Sequence, residues 1–258
     1  MPQTKIVFFD IDGTLIDMQA KKITPKMLET LHRLQDRGIK ICIATGRSPM
    51  VLPKIDGVAF DAYLTFNGSL CYDRKGIIFS NPIPHKDVVR FIQNAAALGR
   101  PICVSTRDRL AANGTDTDLT DYFAIANEDV PIVDNFDAMC EEDIYQLMLG
   151  CRPKDYPALL DGAPGAKIAA WWDRAVDVIP AGGGKGIGIE KMLAYYGLDK
   201  SEALAFGDGN NDREMLLAVG TGVAMENGSP ELKAIADEIC GPVYEDGIYH
   251  YCTSKGLI

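Results

Sequence analysis

The chain has few residues of the kinds that build several common sites. Its three histidines, His32, His85 and His250, are dispersed and show no metal-ligand spacing, so no histidine-based zinc site is expected. Seven cysteines are an odd number with no C-x-x-C pair, and several lie in apolar runs. That pattern fits reduced thiols and a cytoplasmic location rather than a disulfide framework. Basic residues are in deficit, 26 against 36 acidic ones, for a net charge of −10. With no long Lys/Arg cluster to offset it, this balance excludes general nucleic-acid binding. No stretch approaches the length of a membrane span, and the apolar run Ile6–Phe9 is too short for a signal peptide. There is no internal repeat and no heptad pattern, so no protein partner is evident. No G-x-G-x-x-G opens a helix after the first strand. The stretch Gly182–Gly186 departs from a Walker A loop, because Ile179 stands at the first glycine position and Gly186 follows Lys185 where Ser or Thr is required. Dinucleotide oxidoreductases and P-loop NTPases are disfavoured accordingly. The only two tryptophans, Trp171 and Trp172, are read as core packing.

What is present is ordinary for a folded soluble protein: 258 residues, 47% hydrophobic and 24% charged, enough for one large domain or two modest ones. The run Ile6-Val7-Phe8-Phe9 predicts a buried strand. Thr24-Pro25 then offers an N-cap and a proline at the first helical position, and Met27, Leu28, Leu31 and Leu34 recur with helical spacing. A second apolar strand follows over Ile39–Ala44. Strand, helix, strand is a βαβ unit and implies a parallel sheet. A third strand is expected over Ala62–Phe66, leading into Asn67-Gly68, and Ser69–Ser80 reads as a hairpin. Beyond Asn81–Pro84 the chain changes texture. A helix over Lys86–Leu98 is followed by strands near Ile102–Thr106, Ile144–Gly150, Lys167–Trp172 and Val176–Ile179, none carrying a motif. After a second hinge at Pro180–Gly184 come a helix over Lys185–Tyr196, a strand over Ala203–Phe206, a helix from about Asp212, a strand over Gly222–Met225 and a capped helix start at Ser229-Pro230.

The segment Asp10-Ile11-Asp12-Gly13-Thr14-Leu15 carries the chemistry. Residues i and i+2 of extended chain point the same way, so Asp10 and Asp12 emerge together at the end of a buried strand. Two adjacent carboxylates repel and are costly to bury unpaired. A cation resolves the conflict, as does a division of roles in which one is an ionised nucleophile and the other holds a proton. Three further segments put polar residues just past a strand end or at a helix start: Thr45-Gly46-Arg47, Lys185, and Gly207-Asp208-Gly209-Asn210-Asn211-Asp212. These are the places where open parallel α/β sheets bind ligands.

With these four motifs, in this order, the chain resembles the haloacid dehalogenase superfamily of phosphatases, and most closely its Cof-type, type IIB capped sugar-phosphatase branch. The matching motifs run from Asp10 to Asp212, nearly the whole chain. The resemblance implies a Rossmann-like, doubly wound parallel α/β core over residues 1–81 and 181–258, with an α/β cap domain inserted at 82–180. It implies Mg²⁺-dependent hydrolysis of a small phosphate monoester, a sugar phosphate or similar metabolite. Asp10 would attack phosphorus and become an aspartyl-phosphate, while Asp12 protonates the leaving alkoxide and later deprotonates water. Asp12 would need to hold a proton when substrate arrives. Thr45, Gly46, Lys185 and Asn211 would bind the phosphoryl group; Arg47 would either join them or close a salt bridge at the domain edge. Asp10, Asp12 through its backbone carbonyl, Asp208 and Asp212 would hold the metal, Asp212 either directly or from behind. A phosphomutase of the same superfamily and a phospho-Asp regulatory module are the alternatives.

Overall fold

The computed structural model describes residues 3–125, 128–170 and 172–258. Two compact units are found among them. The first holds the chain up to Arg47 together with Pro53–Ser80 and Gly184–Ile258; the second holds Ser48–Leu52 and Asn81–Gly183.

In chain order the strands are β1 (Ile6–Phe9), β2 (Lys40–Ala44), β3 (Ala62–Thr65), β4 (Leu70–Asp73), β5 (Gly76–Ser80), β6 (Cys103–Ser105), β7 (Leu110–Ala112), β8 (Gln146–Gly150), β9 (Ala166–Ala169), β10 (Ala175–Pro180), β11 (Ala203–Gly207), β12 (Thr221–Met225) and β13 (Glu238–Cys240). The first unit is built on one eight-stranded sheet, ordered β13-β12-β11-β1-β2-β3-β4-β5. The six strands from β13 to β3 are parallel, and β4 and β5 extend the sheet as an antiparallel hairpin. The expected parallel α/β core is present. From β1 the chain winds outward through β2 and β3 in one direction, and later through β11, β12 and β13 in the other. The strand order therefore reverses at β1, and the crevice beyond the carboxyl ends of β1 and β11 is the ligand position that such a switch point creates.

β1 reads as a continuous apolar run because both faces of the sheet are covered there; all four of its residues are fully buried. Alternate side chains serve opposite faces. Ile6 and Phe8 join Cys42, Leu64 and Ala205 against Ile189 and Met192 of the helix Lys185–Tyr196 and Met215 of the helix Arg213–Ala218. On the other face Phe9 stacks on Phe206 at 5.5 Å, and Phe206 meets Tyr251 of the helix Gly247–Ser254 edge to face at 5.4 Å. Burial of each such large apolar side chain contributes roughly 1.5–3 kcal/mol.

The helix predicted from Thr24-Pro25 spans Pro25–Asp36, and the Thr24 hydroxyl accepts a hydrogen bond from the Met27 amide at 3.1 Å. The same hydroxyl donates to Asp246 Oδ1, at the start of the helix Gly247–Ser254. The short strands β7 and β13 and the helices Thr117–Ile125 and Gly247–Ser254 were not predicted. The two strands have only three residues each, too few to establish a period of two, and β13 opens on Glu238.

The second unit has a five-stranded sheet ordered β7-β6-β8-β10-β9, antiparallel throughout. The helix His85–Ala97 packs Val88 and Phe91 into a core with Val104, Leu147, Leu149 and Val178. Asp118 is held by Arg100, Arg152 and Arg174 at 2.9–3.2 Å, an ionic knot that the apolar pattern does not reveal. Trp172 is half-buried with the Arg174 guanidinium 5.0 Å from its ring centroid; Trp171 lies outside the described residues. No helix among the described residues is long and apolar enough to cross a membrane.

The Thr24 side chain both caps one helix and ties it to another. Thr24→Ala is expected to cost about 1–2 kcal/mol, read as a lower urea midpoint with unchanged slope, whereas Thr24→Ser should stay close to the parent.

Candidate active site

Asp10, Thr45 and Asp208 each follow the last residue of a strand, and the three strands, β1, β2 and β11, are neighbours in the sheet. Asp10 continues the ladder through its amide, which donates to the Phe206 carbonyl at 3.0 Å. Lys185 is the first residue of a helix that starts on Gly184. It is the point where the chain re-enters the first unit.

The centre of the site is a buried charge cluster. Lys185 Nζ donates to Asp10 Oδ1 and to Asp212 Oδ1, both at 2.6 Å. The lysine is 1% exposed and Asp212 is wholly buried. A charged pair at this depth persists only when the partners are close and their remaining valences are met. Asp212 meets them: its Oδ2 accepts from the amides of Asp208 at 3.0 Å and Gly209 at 2.9 Å. This bonding explains the spacing of the fourth motif, since a residue four positions on must fold back over the turn to reach those two amides. Asp208 is fixed by the Thr14 hydroxyl, which donates to its Oδ1 at 3.0 Å. Gly13 has φ +82° and its α-carbon lies directly against the Asp208 carboxylate, where a β-carbon would collide, so the first motif can carry only glycine at that position. Asp10, Asp208 and Asp212 each offer an oxygen, all within 4.8 Å of one another.

One ammonium thus faces three carboxylates. Burial lowers the Lys185 ammonium, but Asp10 and Asp212 together outweigh it and raise it above the ordinary lysine value, so it stays charged. Burial drives the Asp10 carboxyl well above the usual range; Lys185 opposes this, and Asp212 and Asp208 reinforce it. Burial, helped by Asp212, pushes Asp208 up to about 7. The cluster is short of positive charge, and three hard oxygen donors facing one another are a suitable bed for a divalent cation.

Asp12 is not in this cluster. Its carboxylate is forked by Arg47, with Nη2 on Oδ1 at 2.6 Å and Nε on Oδ2 at 2.8 Å. The hydrogen bond to Asp12 raises the Arg47 guanidinium against the effect of burial. Thr45 is buried, and its hydroxyl oxygen accepts from the Arg47 amide at 3.1 Å. The predicted residues therefore fall into three adjoining groups: the acid–lysine cluster, the Asp12–Arg47 pair joined to Thr45, and a third group in which Asn211 Nδ2 donates to Asn67 Oδ1 at 3.3 Å while Gly46 lies against the same Asn67 amide.

Two residues here escaped the sequence reading. In the sequence Asn67 stands out only as the residue that follows the third predicted strand. Asn227 donates to the Gly13 carbonyl at 2.8 Å and accepts from the Val243 amide at 2.9 Å, pinning the first motif from outside. The signal for both was an Asn-Gly pair beside a strand, which reads as a plain turn.

The sequence profile of one family, the haloacid dehalogenase-like hydrolases, matches residues 7–252. The chain belongs to that family. It is 34% identical to the putative phosphatase YkrA of Bacillus subtilis over 99% of both chains. It is 28% identical to an HMP-PP phosphatase of Yersinia pestis over 96% of this chain and 93% of that one. Among solved structures it resembles BT1666, a phosphatase of this superfamily from Bacteroides thetaiotaomicron, with TM-score 0.92 and 30% identity over 99% of this chain and 96% of the other. It also resembles the subclass IIB sugar phosphatase BT4131, with TM-score 0.89 and 28% identity over 99% and 100%. The resemblance drawn from the four motifs is thereby established at the level of family, type IIB branch and fold.

Two predictions follow from the charge cluster. Carboxyls whose folded values are raised hold protons that the unfolded chain has already lost, so the stability they confer is full below the unfolded value near 3.8 and is lost as pH rises through about 7 for Asp208. Chelated protein should therefore melt lower at pH 8 than at pH 5.5, and a divalent cation should raise the melting temperature more at pH 8; an equal increment at both pH values would refute this origin. Lys185→Met leaves Asp10 and Asp212 buried without their cation and should cost about 3–5 kcal/mol at pH 8, with a smaller loss at pH 5.5, measured by chemical denaturation.

Proposed function

We propose that the chain is a Mg²⁺-dependent phosphatase that hydrolyses a small phosphate monoester, a sugar phosphate or similar metabolite, through an aspartyl-phosphate on Asp10. The observation that carries this reading is the Asp10–Lys185–Asp212 cluster at the switch point of the sheet, with Asp208 beside it. The phosphatases among its relatives support the reaction class. One of its relatives is named an HMP-PP phosphatase and another a sugar phosphatase, so the metabolite itself is assigned only by chemical class.

The deficit of positive charge in the cluster supports a resident cation, and an all-oxygen donor set favours Mg²⁺. Asp10 and Asp208, with the Asp12 backbone carbonyl, would hold it, and Asp212 would either join them or brace them. When bound, the ion would neutralise charge on the phosphoryl oxygens and on Asp10.

The chain's own residues would do the rest. Asp10 attacks phosphorus; the P–O bond to the leaving group breaks as the P–O bond to Asp10 forms. Lys185, already 2.6 Å from Asp10 Oδ1, favours the ionised nucleophile against the effect of burial and offsets charge on the transferring group. Thr45 and Asn211 donate to the phosphoryl oxygens, and Gly46 lets the backbone approach. Asp12 gives its proton to the leaving oxygen and then takes one from the water that attacks the aspartyl-phosphate, releasing inorganic phosphate and regenerating Asp10. For Asp12 to carry that proton, Arg47 must let go of it. An incoming phosphoryl group competes for the same guanidinium, so substrate arrival would turn Arg47 towards the phosphate and free Asp12. We assign residues 82–180 as the cap domain of the family plan and place the protein in the cytoplasm, in keeping with seven cysteines that are all free and buried.

Purified protein should release phosphate from an aryl phosphate and from sugar phosphates over many turnovers with Mg²⁺, and lose that activity with chelator. Asp10→Asn should lower kcat by about 10³-fold or more. Release that requires a bisphosphate activator would identify a phosphomutase instead. A single phosphorylation of Asp10 without turnover would identify a regulatory module.

A further inference from the structure

Outside the residues already assigned, one short turn touches every phosphate-side motif. After β3 the chain reverses through Phe66-Asn67-Gly68, and both Phe66 and Asn67 have φ of +51°. Asn is among the few residues that occupy this left-handed region readily, because its short amide bonds locally. Asn67 is 5% exposed, so its polarity is not surface chemistry.

The backbone of the turn grips the second motif. The Asn67 amide donates to the Thr45 carbonyl and the Phe66 amide to the Arg47 carbonyl, each at 3.0 Å. The first bond fixes the peptide plane between Thr45 and Gly46, and the second fixes the plane that follows Arg47. The Asn67 side chain then covers Gly46 itself: a β-carbon there would lie 3.0 Å from Asn67 Nδ2 and 3.1 Å from its Oδ1. The amide oxygen also receives Asn211 Nδ2 at 3.3 Å, from the fourth motif. One residue on, the Gly68 α-carbon rests on the Gly184 carbonyl, and a β-carbon there would also come within 3.1 Å of the Lys185 amide. A single turn thus abuts Thr45-Gly46-Arg47, the start of the Lys185 helix and Asn211.

We infer that Asn67 is a positioning residue of the phosphoryl site, its carboxamide setting the orientation of the Asn211 amide and the height of the Gly46 backbone beneath the transferring phosphate. This rests on the reading of Thr45, Gly46 and Asn211 as phosphoryl-binding groups. An amide free to rotate loses much of its value as a donor, because preorganisation is what makes a fixed dipole effective in a transition state. The Asn67 acceptor removes that freedom from Asn211. Its left-handed backbone conformation removes freedom from its own side chain.

The experiment separates backbone from amide. Asn67→Gly retains the left-handed conformation and deletes the carboxamide. It should keep the melting temperature within a few degrees of the parent while lowering kcat/KM for an aryl phosphate by about tenfold or more and weakening inhibition by inorganic phosphate. Asn211→Ala alone should show a similar loss, and the double variant should be little worse than Asn211→Ala, since residues that act as a unit are not additive. Parental kcat/KM and phosphate inhibition in Asn67→Gly, or losses that multiply in the double variant, would overturn the inference. Should Asn67→Gly fail to fold, Asn67→Asp keeps the shape and the acceptor but sets a negative charge beside the phosphate. It should weaken phosphate inhibition at least tenfold, and an unchanged inhibition constant would overturn the inference equally. An inactive parent protein would instead remove the phosphatase reading on which it rests, so the two failures are distinct.

Discussion

The ammonium of Lys185, enclosed between Asp10 and Asp212, is the interaction on which the rest of the site depends. It joins three parts of the chain: the end of β1, the start of a helix that begins 175 positions later, and the turn after β11. Without the cation the two carboxylates could not be buried together as anions. Without the carboxylates the ammonium would be the costliest group in the core. The surrounding bonds serve this arrangement. Asp212 turns its second oxygen to the Asp208 and Gly209 amides, Thr14 steadies Asp208, and Asn227 steadies the loop bearing Gly13 and Thr14.

The cluster is incomplete as a set of charges, and that incompleteness is what makes it useful. A fully neutralised knot, such as the three arginines with their aspartates around Asp118 in the other unit, is a brace. It has no remaining appetite for a ligand. At the switch point three acids share one lysine, so the site retains a demand for positive charge. The two networks use the same residue types and similar distances; their difference is stoichiometric.

Much of this was legible in the chain. The elements of the parallel core follow from continuous apolar runs and helix starts. Ile6–Phe9 and Ala203–Phe206 read as strands because both faces are covered, and Thr24-Pro25 reads as a helix start because its cap is local. The elements that went unread include β7, β13 and the helices Thr117–Ile125, Phe136–Met139 and Gly247–Ser254; the two strands and the second of these helices have only three or four residues each, too few to show a period. The motifs named Asp10, Asp12, Lys185, Asp208 and Asp212 among the site residues; four of these converge, while the Asp12 carboxylate pairs with Arg47 instead. What a one-dimensional reading could not supply was pairing. That Arg47 forks Asp12, and that Asn67 receives Asn211, depends on loops from different strands arriving side by side. No local pattern encodes this.

The order of strands has a consequence for the history of each molecule. β1 is made first, but the neighbour on one of its sides, β11, is made nearly last. The hydrogen bond from Thr14 to Asp208 closes a span of 194 positions. At about 5–20 residues per second, the ribosome needs on the order of ten to forty seconds to bridge that span. During that time one edge of the most apolar strand in the protein has no partner, and the carboxylate of Asp10 waits without its lysine. The same topology that builds a crevice at the centre of the sheet leaves that centre as the last seam to be sewn.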